Sequence, residues 1–163
     1  MKPSQLMYRC WKRIDFMLSL SVDDTSILTD ESPPGDAGGF GVLFQYSDCD
    51  DWVHLALSAW EKDCPSLKIV LTLPQDLRSR PLLANYELAN TLNRQGYGCA
   101  TSYDSEAGTL QIRSNIVYAG YADEPGIDHN SNLEQNEATV NWMVQVLQLG
   151  RETLQQLAAT RIS

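Results

Sequence analysis

Residues 82–118 read LLANYELANTLNRQGYGCATSYDSEAGTLQIRSNIVY, and this stretch decides the fold. Apolar residues recur at helical spacing through Asn85 to Asn93, and Gly96 stands where a helix should stop. Two runs with period-2 alternation follow, on either side of the turn Asp104-Ser105-Glu106-Ala107-Gly108. Helix, stop, strand, turn and strand are thus written into 37 consecutive residues. In the helix, Leu82, Tyr86 and Ala89 form one row and Ala84, Leu88 and Leu92 the next, which together predict a broad packed stripe. In the hairpin, one face of the first strand carries Tyr97, Cys99, Thr101 and Tyr103. One face of the second carries Leu110, Ile112, Ile116 and Tyr118.

Upstream, three more strands are expected. Phe40, Val42, Phe44 and Tyr46 alternate in the first; Val53, Leu55, Leu57 and Ala59 share one face of the second, from Trp52 to about Glu61. The third, Leu67 to Leu73, puts Leu67, Ile69, Leu71 and Leu73 on one side and is stopped by Pro74. Short turns between them predict an antiparallel meander with one packed face. Before it, Pro3 to about Phe16 reads as a helix, with Leu6, Cys10 and Ile14 at four-residue spacing and the basic residues Lys2, Arg9, Lys12 and Arg13 on its solvated side. Leu18 to Val22 is a short strand or an extended connection, and residues 23–39, with Pro33-Pro34-Gly35, are an acidic loop. After the hairpin, residues 119–132 form a second polar loop, and a long helix runs from about Leu133 to Thr160. Val140, Val144, Leu147, Leu154 and Ala158 follow one seam of that helix, while Trp142, Val146, Leu149 and Leu157 spread around its side. The sheet covers one face; the first helix or a second subunit must cover the rest, which makes Trp142, Val146 and Leu149 candidate interface residues. The expected class is α+β, a single domain over residues 1–163 in the order α-β-β-β-α-β-β-α, with a three-strand meander and a two-strand hairpin packed against helices.

Composition narrows the function. With 163 residues, 43% hydrophobic and 20% charged, the chain has the makings of one ordinary globular core. A net charge of -9 repels phosphate, which argues against nucleic acid and anionic membrane as partners. No apolar window approaches membrane-spanning length, and the charged residues through Arg13 and Asp15 break any signal-peptide pattern, so the expectation is a cytoplasmic protein without membrane insertion. Cys10, Cys49, Cys64 and Cys99 are scattered, with no C-x-x-C pair and no histidine at zinc spacing.

The sharper chemical motifs fail on their own requirements. Asp48, Asp50 and Asp51 resemble the start of a calcium loop, but that loop needs Gly at its sixth position and Glu at its twelfth, where Val53 and Ala59 stand. GDAGGFG at residues 35–41 lacks the Lys-Ser/Thr of a phosphate loop and leads into a strand. His54 lies mid-strand beside Trp52, His129 lies in a loop, and no G-x-S-x-G elbow is present. Glu61, Glu87 and Glu106 are isolated carboxylates, and the aromatic residues Trp52, Trp60, Tyr97, Tyr103 and Tyr118 suit sheet packing better than a recognition face. No catalytic residue, metal ligand or cofactor is expected.

Leu88-Ala89-Asn90-Thr91-Leu92-Asn93 is similar to an ALANELN-type helix, and Thr109-Leu110-Gln111-Ile112-Arg113-Ser114, after the acidic turn, is similar to a G-x-L-x-L/V-R-x strand. In these segments and in element order from Phe40 to Thr160, the chain resembles the YbjN-like proteins, which share the fold of type III secretion chaperones. The basic first helix, the Pro-Pro-Gly loop and the long loop before the last helix depart from that pattern. The resemblance implies a non-enzymatic α+β module that binds proteins or peptides, chaperone-like or regulatory, with homodimers among its relatives. A sheet edge and an apolar helix surface are the expected means of binding. The alternative is an acidic inhibitor or immunity-type protein that blocks a basic protein with Asp23, Asp24, Asp30, Glu31, Asp36 and the Asp48–Asp51 turn.

Overall fold

The structure, a computed structural model, describes residues 10–14, 18–22, 38–60, 66–74, 76–95, 98–117 and 129–162. Side chains are described at all of these except 38–40, 59–60, 117, 129–136 and 160–162. It is α+β. Helical residues 10–14 (α1) lead to β1 (Ser21–Val22), β2 (Gly38–Gln45), β3 (Val53–Trp60), β4 (Ser66–Thr72), α2 (Leu82–Gln95), β5 (Cys99–Asp104), β6 (Thr109–Val117) and α3 (His129–Ile162). The strands form one open antiparallel sheet in the order β1-β2-β3-β4-β6-β5. The short extended run before the acidic stretch is therefore a sixth strand, two residues long, paired at Ser21↔Gln45 and Val22↔Phe44. Residues 23–37 and most of the second polar loop, 118–128, lie outside the described residues, as do Leu6, Gly96, Tyr97 and Tyr118.

Register carries the period-2 patterns into one continuous apolar face. Val42 pairs with Leu55, Leu55 with Leu71, Leu71 with Ile112, and Ile112 with Thr101. All four apolar members of this row are fully buried. A one-residue slip in any strand would turn that strand's whole apolar set to solvent, so the pattern fixes the pairing. The hairpin closes as its sequence requires. Asp104 Oδ1 accepts from the amides of Glu106 and Ala107 (3.0 and 3.2 Å), and Gly108 takes φ +72°, where a side chain would be strained.

Helix α3 covers the middle of this face along a wide stripe. Val140, Trp142, Met143, Val146, Leu147, Leu149, Leu154 and Leu157 are all buried. Its closest approach is at Gly150. A Cβ there would press into Leu71 Cδ2 and stand 2.9 Å from the Tyr46 hydroxyl, which itself donates to Leu147 O at 2.6 Å. Helix α1 covers the β2 end: Trp11 meets Phe44 at 5.8 Å between ring centroids, Cys10 and Ile14 are buried, and Arg13 pairs with Glu137 of α3. The wide apolar circumference of α3 is thus buried within one chain, with no second copy needed to cover it.

Replacing Gly150 by Ala is expected to lower stability by about 1 kcal/mol on balance. Overpacking costs about 1–3 kcal/mol, against a helix-propensity gain of at most about 1 kcal/mol. Urea denaturation followed by circular dichroism measures the difference; a Gly150→Ala protein as stable as the parent would show that α3 is not seated this close to the sheet.

Candidate functional site

The expected interface residues are not on a surface. Trp142 is only 9% exposed, and its indole nitrogen donates to Ser114 Oγ at 2.8 Å, over β6. Val146 is fully buried and Leu149 nearly so. The reading of α3 as apolar around much of its circumference holds, but the sheet and α1 take up that circumference. These three side chains belong to the core and offer nothing for a partner to touch.

Exposed apolar surface lies on α2 instead. Leu82 is 53% exposed, Leu83 68% and Tyr86 43%, three large apolar side chains in the first turns of one helix. Residues 82 and 86 stand four apart and 83 and 86 three apart, so they form one contiguous patch. The Tyr86 ring meets Tyr103 of β5 edge-on, with centroids 5.6 Å apart and planes at 87°. The row Leu82-Tyr86-Ala89, expected to pack as a unit, is therefore split: Ala89 is buried, while Leu82 and Tyr86 face out.

Two asparagines set this rotation. Asn85 is fully buried, and its Nδ2 donates to Leu77 O at 2.8 Å. Leu77 in turn donates its backbone N–H to Gly108 O at 2.6 Å, which ties the loop before α2 to the hairpin turn. Further along the helix, Asn93 Oδ1 accepts from Thr101 N at 2.5 Å while Asn93 Nδ2 donates to Thr101 O at 2.9 Å. That side-chain amide imitates a neighbouring strand and occupies the middle of the β5 edge. A buried hydrogen bond lost costs more than a half-exposed leucine, so the polar anchors outweigh the apolar row.

The loop before α2 carries its own ion pair. Asp76 Oδ2 accepts from Arg78 Nη2 at 2.9 Å, and Asp76 Oδ1 accepts from the Arg78 amide at 3.0 Å. The Arg78 side-chain hydrogen bonds, followed by its backbone amide, hold the Asp76 carboxyl down at about 2.

A second feature is an open cavity of about 320 Å³ between the β2–β3 turn and the C-terminal half of α3, lined by Tyr46, Asp48, Cys49, Arg151, Leu154 and Gln155 among others. Asp48 does not project a free carboxylate into it. Arg151 Nη2 and Nε donate at 3.1 and 3.2 Å, and Gln155 Nε2 at 2.8 Å. The Arg151 hydrogen bonds, then that of Gln155, lower its pKa. The acidic turn is thus partly neutralised from within, and Asp23, Asp24, Asp30, Glu31 and Asp36 of the acidic inhibitor alternative lie outside the described residues.

Burial pushes the Cys10 thiol up to about 11 and raises Cys99 as well, so both are protonated at neutral pH and poor nucleophiles. Among the described residues no three His, Cys, Asp or Glu side chains gather as a metal site would require. His54 is exposed on the sheet face away from the helices, over Gly41. Trp52 is 44% exposed, Tyr103 is half-buried, and the side chains of Trp60 and His129 are outside those described. No helix among the described residues is long and apolar enough to cross a membrane. A scan of protein-family models and searches of curated proteins and solved structures return no match to this chain.

Two outcomes are expected. Because the Asp48 carboxyl is depressed in the folded protein, its pairing stabilises the fold above the ordinary carboxyl value of 3.8 and is lost as pH falls through the folded value. Asp48→Asn should therefore cost less than about 1 kcal/mol near pH 7, as suits an exposed pair. The difference should narrow as pH falls below 3.8, which paired melts from pH 7 downward would show; a constant gap would mean that the charge is not the cause. Asn93→Ala should remove two hydrogen bonds, cost about 1–2 kcal/mol, and speed exchange of the Thr101 amide beyond that of its β6-paired neighbours. Unchanged exchange at Thr101 would contradict the capping role of Asn93.

Proposed function

We propose that this chain is a cytoplasmic, non-enzymatic protein- or peptide-binding module, chaperone-like or regulatory in action, of the kind that its resemblance to YbjN-like proteins implies. The observation that carries the reading is the Leu82-Leu83-Tyr86 patch, apolar surface held out by a helix whose other face is anchored. Scattered exposed leucines are ordinary, but three large apolar side chains in one patch beside a second aromatic, Tyr103, are the composition of a recognition site.

Magnitudes limit what the patch does alone. Covering the exposed half of each side chain is worth roughly 1 kcal/mol, or about 3 kcal/mol together. Millimolar affinity alone needs about 4 kcal/mol. A partner must therefore reach past the patch, and Tyr103 and the Arg78 loop are its nearest extensions. Lateral pairing with β5 is the weaker route, because Asn93 already occupies Thr101. A homodimer through α2 is one way to satisfy the patch; a peptide from another protein is the other.

Selection of displayed random peptides on the native protein, with counter-selection on Leu83→Asp/Tyr86→Asp, tests the reading. Apolar peptides that bind the parent and lose at least about tenfold in affinity for the variant are expected, since about 1.4 kcal/mol is tenfold. Light scattering on both proteins separates the two occupants: a dimer in the parent that becomes a monomer in the variant assigns the patch to a second copy. Peptides that bind both proteins equally, with both monomeric, would overturn it.

A further inference from the structure

We propose that the face of the sheet opposite the helices docks an acidic amphipathic helix of a partner protein. Antiparallel sheets commonly leave one face to water, so openness alone says nothing. Charge and shape set this face apart.

The register fixes what the face presents. Gly41, Ala56, Val70, Arg113 and Ala100 stand side by side across β2, β3, β4, β6 and β5. Four of the five are small or apolar, so a shallow trough crosses the sheet with Arg113 rising within it. Lys68 and His54 stand in the neighbouring rows on either side of Ala56 and Val70, and all three cationic or titratable side chains are exposed. Gly41 belongs to this shape, because a Cβ there would lie 3.2 Å from His54 Nε2 and crowd the imidazole lying over it.

The chain carries 21 acidic and 12 basic residues, yet among the described residues this face projects a single carboxylate, Asp104. Asp104 sits at the hairpin corner and its Oδ1 is turned back onto the amides of Glu106 and Ala107. Elsewhere Arg13 pairs with Glu137, Arg78 with Asp76 and Arg151 with Asp48, while Arg80 and Arg94, off this face, make no ion pair among the described residues. On the sheet face Arg113 Nη2 donates only to the neutral Gln111 Oε1, at 2.6 Å, and neither it nor Lys68 ion-pairs among the described residues. Cations without a carboxylate partner among the described residues, around a trough of small and apolar side chains, complement an anionic partner with an apolar seam.

Other occupants fit less well. A second copy in face-to-face contact would bring cations to cations with only the corner carboxylate Asp104, among the described residues, to answer them. Nucleic acid would meet the long-range repulsion of a net charge of -9. Strands about 4.8 Å apart put roughly 20 Å across five strands, which a helix spans in about 14 residues at 1.5 Å each.

The site is separate from the α2 patch, so its failure leaves that reading standing. The probe is a synthetic helical peptide of about 14 residues, with Ala and Leu on one face and Glu along both flanks, titrated into the isotope-labelled protein by NMR. Saturable shifts are expected at Ala56, Val70 and Arg113 and not at Leu82, Leu83 or Tyr86. Lys68→Glu/Arg113→Glu should weaken binding at least about tenfold with an unchanged melting curve. Lys12→Glu/Arg94→Glu, which changes net charge equally on the helices, should bind as the parent does, and the same peptide flanked by Lys should not bind. Shifts confined to α2, equal binding of the Lys-flanked peptide, or equal loss in both charge-reversed proteins would each overturn the proposal. So would a single-stranded oligonucleotide that fills the face more tightly than the acidic peptide, or face shifts that track protein concentration together with a dimer mass.

Discussion

The contact on which the rest of this fold depends is the seating of α3 against the sheet at Gly150. A helix packs about as close to a sheet as its side chains allow, and the missing Cβ lets the backbone come down onto Leu71. Tyr46 then reaches from the end of β2 to Leu147 O, one turn earlier, and its hydroxyl is held by burial far above the ordinary phenol range. It is therefore a protonated donor at neutral pH. This lock draws Met143, Val146 and Leu147 into the core, while Asn141, Gln145, Gln148 and Glu152 stay exposed on the far side of α3. Without that depth the wide apolar stripe of α3 would be surface.

Strands and helices were legible in the sequence because each is encoded locally. Alternation placed the buried apolar side chains between Val42 and Leu73 and at Leu110 and Ile112 correctly among the described residues, since a strand's two faces leave no third choice. The orientation of α2 was not legible in the same way. Counting apolar residues aligned Leu82, Tyr86 and Ala89, but the helix is turned by Asn85 and Asn93, whose partners Leu77 and Thr101 lie on other elements. Polar anchors are invisible to periodicity when their partners are distant in sequence. A buried asparagine among apolar neighbours was the one available signal.

The same blindness explains the reading of α3. A helix apolar over most of its circumference predicts more than one covering layer, and that much was correct. Whether the second layer is another chain or the chain's own first helix depends on where α1 lands, which no feature of α3 specifies. Trp142, Val146 and Leu149 exceed one narrow stripe in the sequence, yet all three are buried within the chain, and Trp142 is held by Ser114 of β6.

What the chain leaves open follows from what these anchors close. Asn93 occupies the middle of β5, the edge at which an added strand would otherwise pair most readily, so open-ended edge-to-edge association is blunted. Anchoring the Asn85 face of α2 has a second effect: it commits Ala89 and Leu92 to the core and turns Leu82, Leu83 and Tyr86 outward. Stacking the described helices on one side of the sheet has a third, because Glu87, Glu137 and Glu152 then lie on the layer away from Lys68 and Arg113. An apolar patch on one layer and the exposed Lys68 and Arg113 on the other are thus not independent features of the surface. Both are consequences of a two-layer fold whose polar anchors, more than its apolar residues, decide which way each helix faces.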